Sequence, residues 1–186
     1  MIGKLSSNRN VLNLFCYSGA SSIYAYKGGA SNITMIDASN AALNMVKENF
    51  IVNEAKEFLE NNCTLLNMNV FDYFSDNASK DKLFDMIICD PPAFAKTKEN
   101  VESALKAYLT LNEKCIRHLS KDGILVTSSC SGRVSLLDFK NSIRHAAGRE
   151  RVDLQLISTI GHAIDHTDKI SFPEGQYLKT LILKRI

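Results

Sequence analysis

Short apolar runs alternate with helix-period segments along nearly the whole chain, and no other feature restricts the fold as much. Val11-Leu-Asn-Leu-Phe15, Ile33-Thr-Met-Ile36, Thr64-Leu-Leu66, Phe84-Asp-Met-Ile-Ile-Cys89 and Ile124-Leu-Val-Thr127 read as short buried strands. Between them, Ala42, Leu43, Val46 and Phe50 fall on one helix face, as do Val101, Ala104, Leu105, Tyr108 and Cys115. Val134 to Ala147 predicts another helix, and Ser18 and Ser39 are expected N-caps. Strands joined by crossover helices run parallel, so the pattern predicts an α/β doubly wound sheet with helices on both faces. The end of the chain departs from it. Arg151–Ile157 and Tyr177–Leu183 read as two strands with only a polar loop between them, a hairpin that adds an antiparallel strand to the sheet. No repeat, linker or low-complexity tract interrupts the 186 residues, and one domain over residues 1–186 is expected.

Composition excludes several classes. Hydrophobic residues at 45% and charged residues at 23% suit a globular chain with an ordinary core. No apolar run reaches bilayer length, and "MIGKLSSNRN" lacks the apolar centre of a signal peptide. The five cysteines (Cys16, Cys63, Cys89, Cys115, Cys130) are odd in number and form no C-x-x-C pair. That argues against a disulfide framework or structural zinc, and for free thiols in a reducing cytoplasm. A net charge of +2 permits nucleic acid as a partner without demanding it. Lys96, Lys98, Arg117, Lys121, Arg144, Arg149 and Arg151 read mostly as solvated helix faces.

Open sheets of this kind bind ligands beyond the carboxyl ends of their strands. The segment after Phe15, Asp37, the region of Asn69, Asp90-Pro91-Pro92 and Val126-Thr-Ser-Ser-Cys-Ser-Gly132 all fall there. "LNLFCYSGASSIYA" (12–25) turns at Gly19. A dinucleotide site needs three spaced glycines to admit a pyrophosphate, whereas one suits a cofactor without phosphates. Asp37 stands where a carboxylate accepts from two ribose hydroxyls. A nucleoside joined to an amino acid is S-adenosylmethionine, although such a turn also serves as an ordinary strand-to-helix connection. In "FDMIICDPPAFAKTK" (84–98), Pro91 keeps Asp90 out of helical geometry and Pro92 stiffens the turn. A carboxylate and a carbonyl fixed at a strand end can accept from the amino group of a base, and Phe94 can stack on that base. The alternative is a proline turn that merely ends a strand. Cys130, set between serines, is either a small half-buried thiol or a nucleophile.

"VLNLFCYSGA", "FDMIICDPPAFAKTK", "KAYLTLNEKCIRHLSKDGILVTSSCS" and "FPEGQYLK", taken in order, resemble the catalytic half of the large-subunit ribosomal RNA cytosine-C5 methyltransferases, the RlmI or YccW-like family. The resemblance implies a class I, Rossmann-like methyltransferase fold with a mostly parallel seven-stranded sheet. It also implies S-adenosylmethionine as cofactor and RNA, from the large ribosomal subunit, as partner. Phe15, Tyr17, Ser18, Gly19, Asp37, Ala38, Asn69 and Asp90 would surround the cofactor, with Asp37 on its ribose and Asn69 near its adenine. Asp90, Pro91, Pro92 and Phe94 would surround the target cytosine, with Cys130 as the nucleophile.

The reaction explains the need for a thiol. C5 of cytosine is a poor nucleophile; a thiolate added at C6 breaks the conjugation and leaves an enamine whose C5 can attack a sulfonium methyl. Transfer to a base nitrogen needs no thiol, so Cys130 separates the two reactions. Its position shortly before a predicted helix, with Arg133 close by, leads to the expectation of an activated thiolate. Cys16, Cys89 and Cys115 read as core. Asp90 is the nearest candidate for taking the C5 proton. His162 and His166 in "HAIDH" have helical metal spacing but no further ligands, so no metal is expected. Asp165-His166 is similar to an Asp-His pair of the family, with Thr167 in place of its proline. Asn69 departs from the family's aspartate, and Gly132-Arg133 from a bulky residue and a histidine. Only ten residues precede Val11, where the family carries an N-terminal RNA-binding PUA domain, so either a fragment of a longer protein or a catalytic domain without that RNA grip is expected. A base-nitrogen methyltransferase and a cofactor-binding remnant without turnover are the competing readings.

Overall fold

The central strands carry apolar side chains at successive positions, and neighbouring strand residues point to opposite faces, so each such strand must be covered on both sides. The computed structural model describes residues 1–77, 79–95, 97–163, 171–172 and 175–186. It contains β1 (Asn10–Leu14), β2 (Asn32–Asp37), β3 (Cys63–Asn67), β4 (Phe84–Cys89), β5 (Leu119–Ser129), β6 (Leu154–Ile160) and β7 (Lys179–Arg185) in one sheet, ordered β3-β2-β1-β4-β5-β7-β6. Strand β7 runs antiparallel to both neighbours, and the other pairs are parallel.

Helices α1 (Ile2–Leu5), α2 (Ala20–Lys27), α3 (Asn40–Val52) and α4 (Lys56–Asn62) precede β3; α5 (Val70–Tyr73), α6 (Val101–Arg117) and α7 (Leu136–Glu150) follow it. On one face, Val11, Met35, Met86, Ile88, Val126 and Ile182 pack with Ile23, Leu43, Val46 and Phe50 from α2 and α3. On the other, Leu12, Ile36, Ile87, Leu125, Leu181 and Leu183 meet Tyr108, Leu111 and Ile116 of α6 and Phe139 and Ile143 of α7. Each fully buried aliphatic or aromatic side chain contributes on the order of 2 kcal/mol. Polar groups survive in such a core when paired: Asn13, 2% exposed in mid-β1, donates through Nδ2 to Ser22 Oγ at 2.8 Å.

Some boundaries differ from the sequence pattern, each for a local reason. Strand β6 starts at Leu154 because Arg151 adopts a left-handed φ of 55° and closes α7. Ser39 caps α3 as expected, accepting from Ala42 N at 3.3 Å. Ser18 does not cap α2. Gly19 occupies that position with φ 77°, in a turn so close to α3 that an added Cβ would lie 3.0 Å from a Val46 methyl. The Ser18 carbonyl instead accepts from Asn49 Nδ2 at 2.8 Å. Helix α7 begins at Leu136, two residues later than expected, with Ser135 as its cap.

Strand order reverses between β1 and β4, which opens a crevice beyond their carboxyl ends. Across the sheet Leu14 sits beside Cys89, Cys89 beside Thr127, and Ser129 beside Lys179. That row of strand ends positions the site. Among the described residues, no helix is long and apolar enough to cross a membrane.

Candidate active site

The loop leaving β1 is tightly wound. Phe15, Tyr17 and Gly19 have φ of 57°, 46° and 77°. Left-handed backbone at residues other than glycine costs energy and persists only where surrounding contacts hold it. Here Cys16 N donates to Ile36 O at 3.1 Å and Gly19 N to Cys16 O at 2.8 Å. Asp37 completes the hold. Its Oδ2 accepts from Tyr17 N and its Oδ1 from Ser39 N, both at 2.9 Å, with exposed Ala38 between. The loop after β3 is tied to the same place, since Asn67 Nδ2 and Met68 N both donate to the Asp37 carbonyl. Asn69 caps α5, its Oδ1 accepting from Phe71 N at 2.8 Å. Phe15, Tyr17, Ser18, Gly19, Asp37, Ala38 and Asn69 therefore gather at one edge, as the sequence suggested.

Beyond β4, Asp90 is exposed and Pro91 buried. The protein around the carboxyl displaces solvent and pushes the Asp90 pKa up, opposed by a hydrogen bond from Ser128. Pro92 is exposed, and Phe94 is half-buried with its ring 4.8 Å from that of Tyr108. Part of Phe94 is thus already packed on protein.

The serines on either side of Cys130 have an identifiable job. Residues 129 and 131 point the same way, into the core, and both are fully buried. Ser129 Oγ donates to Tyr108 Oη at 2.9 Å, the Tyr108 and Ser131 hydroxyls lie 3.0 Å apart, and Ser131 Oγ accepts from Ala95 N at 3.1 Å. This fork ties the end of β5 to the Asp90–Phe94 loop. Cys130 is left half-buried between them, its Sγ 3.6 Å from the Pro91 carbonyl oxygen.

The expected activation of Cys130 by the following helix is not what the structure has. Its pKa is pushed up, by burial and then by the Asp90 carboxylate, against a backbone hydrogen bond and Lys179. The positive end of α7 is already engaged: Ser135 Oγ accepts from Asp138 N at 3.1 Å and donates to Asp138 Oδ2 at 2.6 Å. Arg133 is exposed to solvent.

On the sequence pattern Tyr108 belongs only to a core face, and nothing there assigns a role to Lys179. Lys179 is buried, its Nζ donating to Ser131 O at 2.8 Å and to Val134 O. Its signal in the sequence was a lysine in period-two register with Leu181 and Leu183. A cleft of about 520 Å³ opens behind it, lined by Gly132, Val134, Ser135, Thr159, His162 and Lys179 among others, and not by the Asp37 edge. His162 Nε2 accepts from Leu178 N at 3.2 Å and its ring meets Tyr177. Asp165, His166 and Thr167 lie outside the described residues. Among the described residues, no group of histidine, cysteine and carboxylate side chains could hold a metal. Cys16, Cys89 and Cys115 are buried in the core, as expected.

A seven-stranded sheet in this order, with one antiparallel strand and a switch between β1 and β4, is the class I S-adenosylmethionine-dependent methyltransferase fold. The candidate methyltransferase SMU.776, solved with SAH, superposes with a TM-score of 0.83 at 28% identity, covering 98% of this chain and 47% of that one. A candidate SAM-dependent methyltransferase from Streptococcus mutans gives 0.82 at 27% identity, covering 98% and 46%. The family described as Conserved hypothetical protein 95 matches residues 1–142, and the chain belongs to it. The resemblance carried by the motifs is borne out by a curated relative, ribosomal RNA large subunit methyltransferase I of Pseudoalteromonas atlantica. It is 35% identical over 179 residues, which is 96% of this chain and 45% of the relative. The chain spans about half the length of the curated relatives it matches.

Proposed function

We propose that residues 1–186 form a cytoplasmic S-adenosylmethionine-dependent methyltransferase domain that acts on large-subunit ribosomal RNA, at C5 of a cytosine, with Cys130 as nucleophile. The observation that carries this reading is the meeting of a half-buried thiol with the Asp-Pro-Pro turn, Cys130 Sγ lying 3.6 Å from the Pro91 carbonyl oxygen. The β1 edge fits the cofactor. Each Asp37 oxygen accepts one backbone N–H and keeps a second lone pair, which suits a pair of ribose hydroxyls. The Asn69 amide oxygen already caps α5, so it offers an adenine only its remaining lone pair. Tyr17, 66% exposed, offers a ring beside that edge.

When bound, S-adenosylmethionine supplies an electrophilic methyl group. Asp90 and the Pro91 carbonyl accept from the cytosine amino group and orient the ring, while Phe94 packs against it. The Cys130 thiolate forms a bond to C6, and the electron pair displaced onto C5 makes that carbon nucleophilic enough to take the methyl. The C5 proton then leaves to Asp90 or a water beside it, and the electron pair of the broken C5–H bond expels the sulfur as thiolate.

The test uses large-subunit ribosomal RNA carrying 5-fluorocytidine, with S-adenosylmethionine and mass spectrometry of the products. Fluorine at C5 does not leave as a proton does, so the C6 thioether is trapped after methylation. An adduct mapped to Cys130, and absent from Cys130→Ala, is expected. Methyl transfer that survives Cys130→Ala without any adduct would assign transfer to a base nitrogen. Cofactor binding with no transfer to any site would assign a remnant.

A further inference from the structure

Lys179 poses a problem that the reaction above does not use. It is 9% exposed although it carries an ammonium, and it opens β7 in line with the core residues Leu181 and Leu183. A buried cation is costly unless an anion or a full set of acceptors compensates. The Ser131 and Val134 carbonyls satisfy two of its three donors but bring no net charge. No carboxylate pairs with it among the described residues.

Both carbonyls belong to the segment that follows Cys130. Ser129, the residue before Cys130, is the register partner of Lys179 across β5 and β7. The ammonium therefore lies against the backbone that carries the thiol. Three ionisable groups lie close enough for their charge to be felt at Cys130: Asp90 in the turn after β4, whose next residue receives the Cys130 Sγ contact, Lys179 on β7, and Tyr108 on α6. Tyr108 is neutral and held by Ser129 and Ser131. That leaves one anion and one cation acting on the sulfur with opposite signs. Burial lowers the Lys179 pKa and Cys130 raises it, as for two members of one charge pair.

Taking Cys130 as the nucleophile, we infer that Lys179 is the counter-charge of its thiolate and that Asp90 gates the pair. In the free protein the Asp90 carboxylate opposes Lys179 at the sulfur, and Cys130 keeps its proton. A base that donates its amino group to Asp90 offsets part of that negative charge. With that opposition reduced, Lys179 lowers the barrier set by burial, the thiol proton passes to solvent more readily, and the thiolate is favoured where a target is present. Lys179 acts through Cys130 and is a positioning residue.

The test is the pH profile of Cys130 alkylation by iodoacetamide in the whole chain without RNA, read by peptide mass mapping. Lys179→Met keeps the packing volume, and Lys179→Gln keeps a donor for one carbonyl; both remove the charge. Each should move the profile to higher pH and slow alkylation at pH 8.5 by about tenfold, the effect of one charge close to the sulfur. Asp90→Asn should move it the other way by a similar factor. Thermal melting and SAH binding identify variants that remain folded, and the glutamine variant serves where methionine does not fold. Folded Lys179 variants with the parent's profile overturn the inference. So do Lys179 and Asp90 variants that shift in the same direction, which would mark a loosened loop rather than a lost charge. The 5-fluorocytidine adduct is scored separately. A parental profile in Lys179 variants of a protein that forms the adduct overturns the gate alone, whereas opposite shifts in a protein that forms none overturn the nucleophile and leave the charge pair.

Discussion

Tyr108→Phe removes one oxygen from the place where three hydroxyls meet, and its consequences can be worked through. The Tyr108 ring is fully buried, 4.8 Å from Phe94 and 5.1 Å from Phe139 between ring centroids, so phenylalanine fills the same space. What is lost is the partner of Ser129 Oγ at 2.9 Å and of Ser131 Oγ at 3.0 Å. Ser131 Oγ still accepts from Ala95 N at 3.1 Å, but the Ser129 donor is left buried without an acceptor. Such a group costs about 1–3 kcal/mol, and with one partner rescued the expected loss is about 2 kcal/mol. For a chain of this length that lowers Tm by roughly 4–8 °C, measurable by circular dichroism. Ser131→Ala breaks one of the same bonds, so the double variant should cost about 1 kcal/mol less than the sum of the singles. The fork also holds the Cys130 strand end against the Asp90 turn. Adduct formation with 5-fluorocytidine should therefore slow in Tyr108→Phe while SAH affinity stays within about twofold, since the fork does not reach the Asp37 edge. A Tm within about 1 °C of the parent, or strictly additive losses, would refute this account of the two serines.

Further outcomes are open to measurement. Gly19→Ala places a Cβ 3.0 Å from Val46 at φ 77°, and should cost at least about 1–2 kcal/mol in urea unfolding and weaken SAH binding by calorimetry; undiminished affinity would detach the turn from the cofactor edge. Asp37→Asn keeps an acceptor for only one of Tyr17 N and Ser39 N and removes the charge, so SAH affinity should fall about tenfold or more, and an unchanged Kd would contradict the ribose role. The Cys16 and Cys63 thiols are pushed by burial from 9.0 to about 12. Their unfolded counterparts ionise first, so the stability they confer is complete below pH 9 and is lost as pH rises toward 12. Urea midpoints should fall across that window, and a Cys16→Ala, Cys63→Ala variant should fall less steeply; equal slopes would remove the thiols as the cause.

Much of the fold was legible because its causes are local in sequence. A strand buried on both faces needs consecutive apolar residues, and Phe84-Asp-Met-Ile-Ile-Cys89 displays that directly. The carboxyl-end rule then brings Gly19, Asp37, Asn69, Asp90 and Cys130 to one edge from the strand pattern alone. Boundaries failed where a single residue's backbone decided them, as at Arg151, whose left-handed φ delays β6. The electrostatics of Cys130 was not legible, and the reason is physical. Distance along the chain put the start of α7 nearest to the thiol, but a helix N-terminus acts first on the acceptors of its own cap, here Ser135 and Asp138. The charges that reach the sulfur come from the neighbouring strands, Asp90 at the end of β4 and Lys179 at the start of β7, dozens of residues away in either direction. Only the register of the sheet sets them there, with Ser129 opposite Lys179. A period in the sequence reports which face a side chain occupies; its pKa depends on what the adjacent strands place beside that face. Lys179 in "YLKTLIL" carried the one usable sign of this, a cation on the inward phase of a strand, where nothing but a function or a buried acceptor set can keep it.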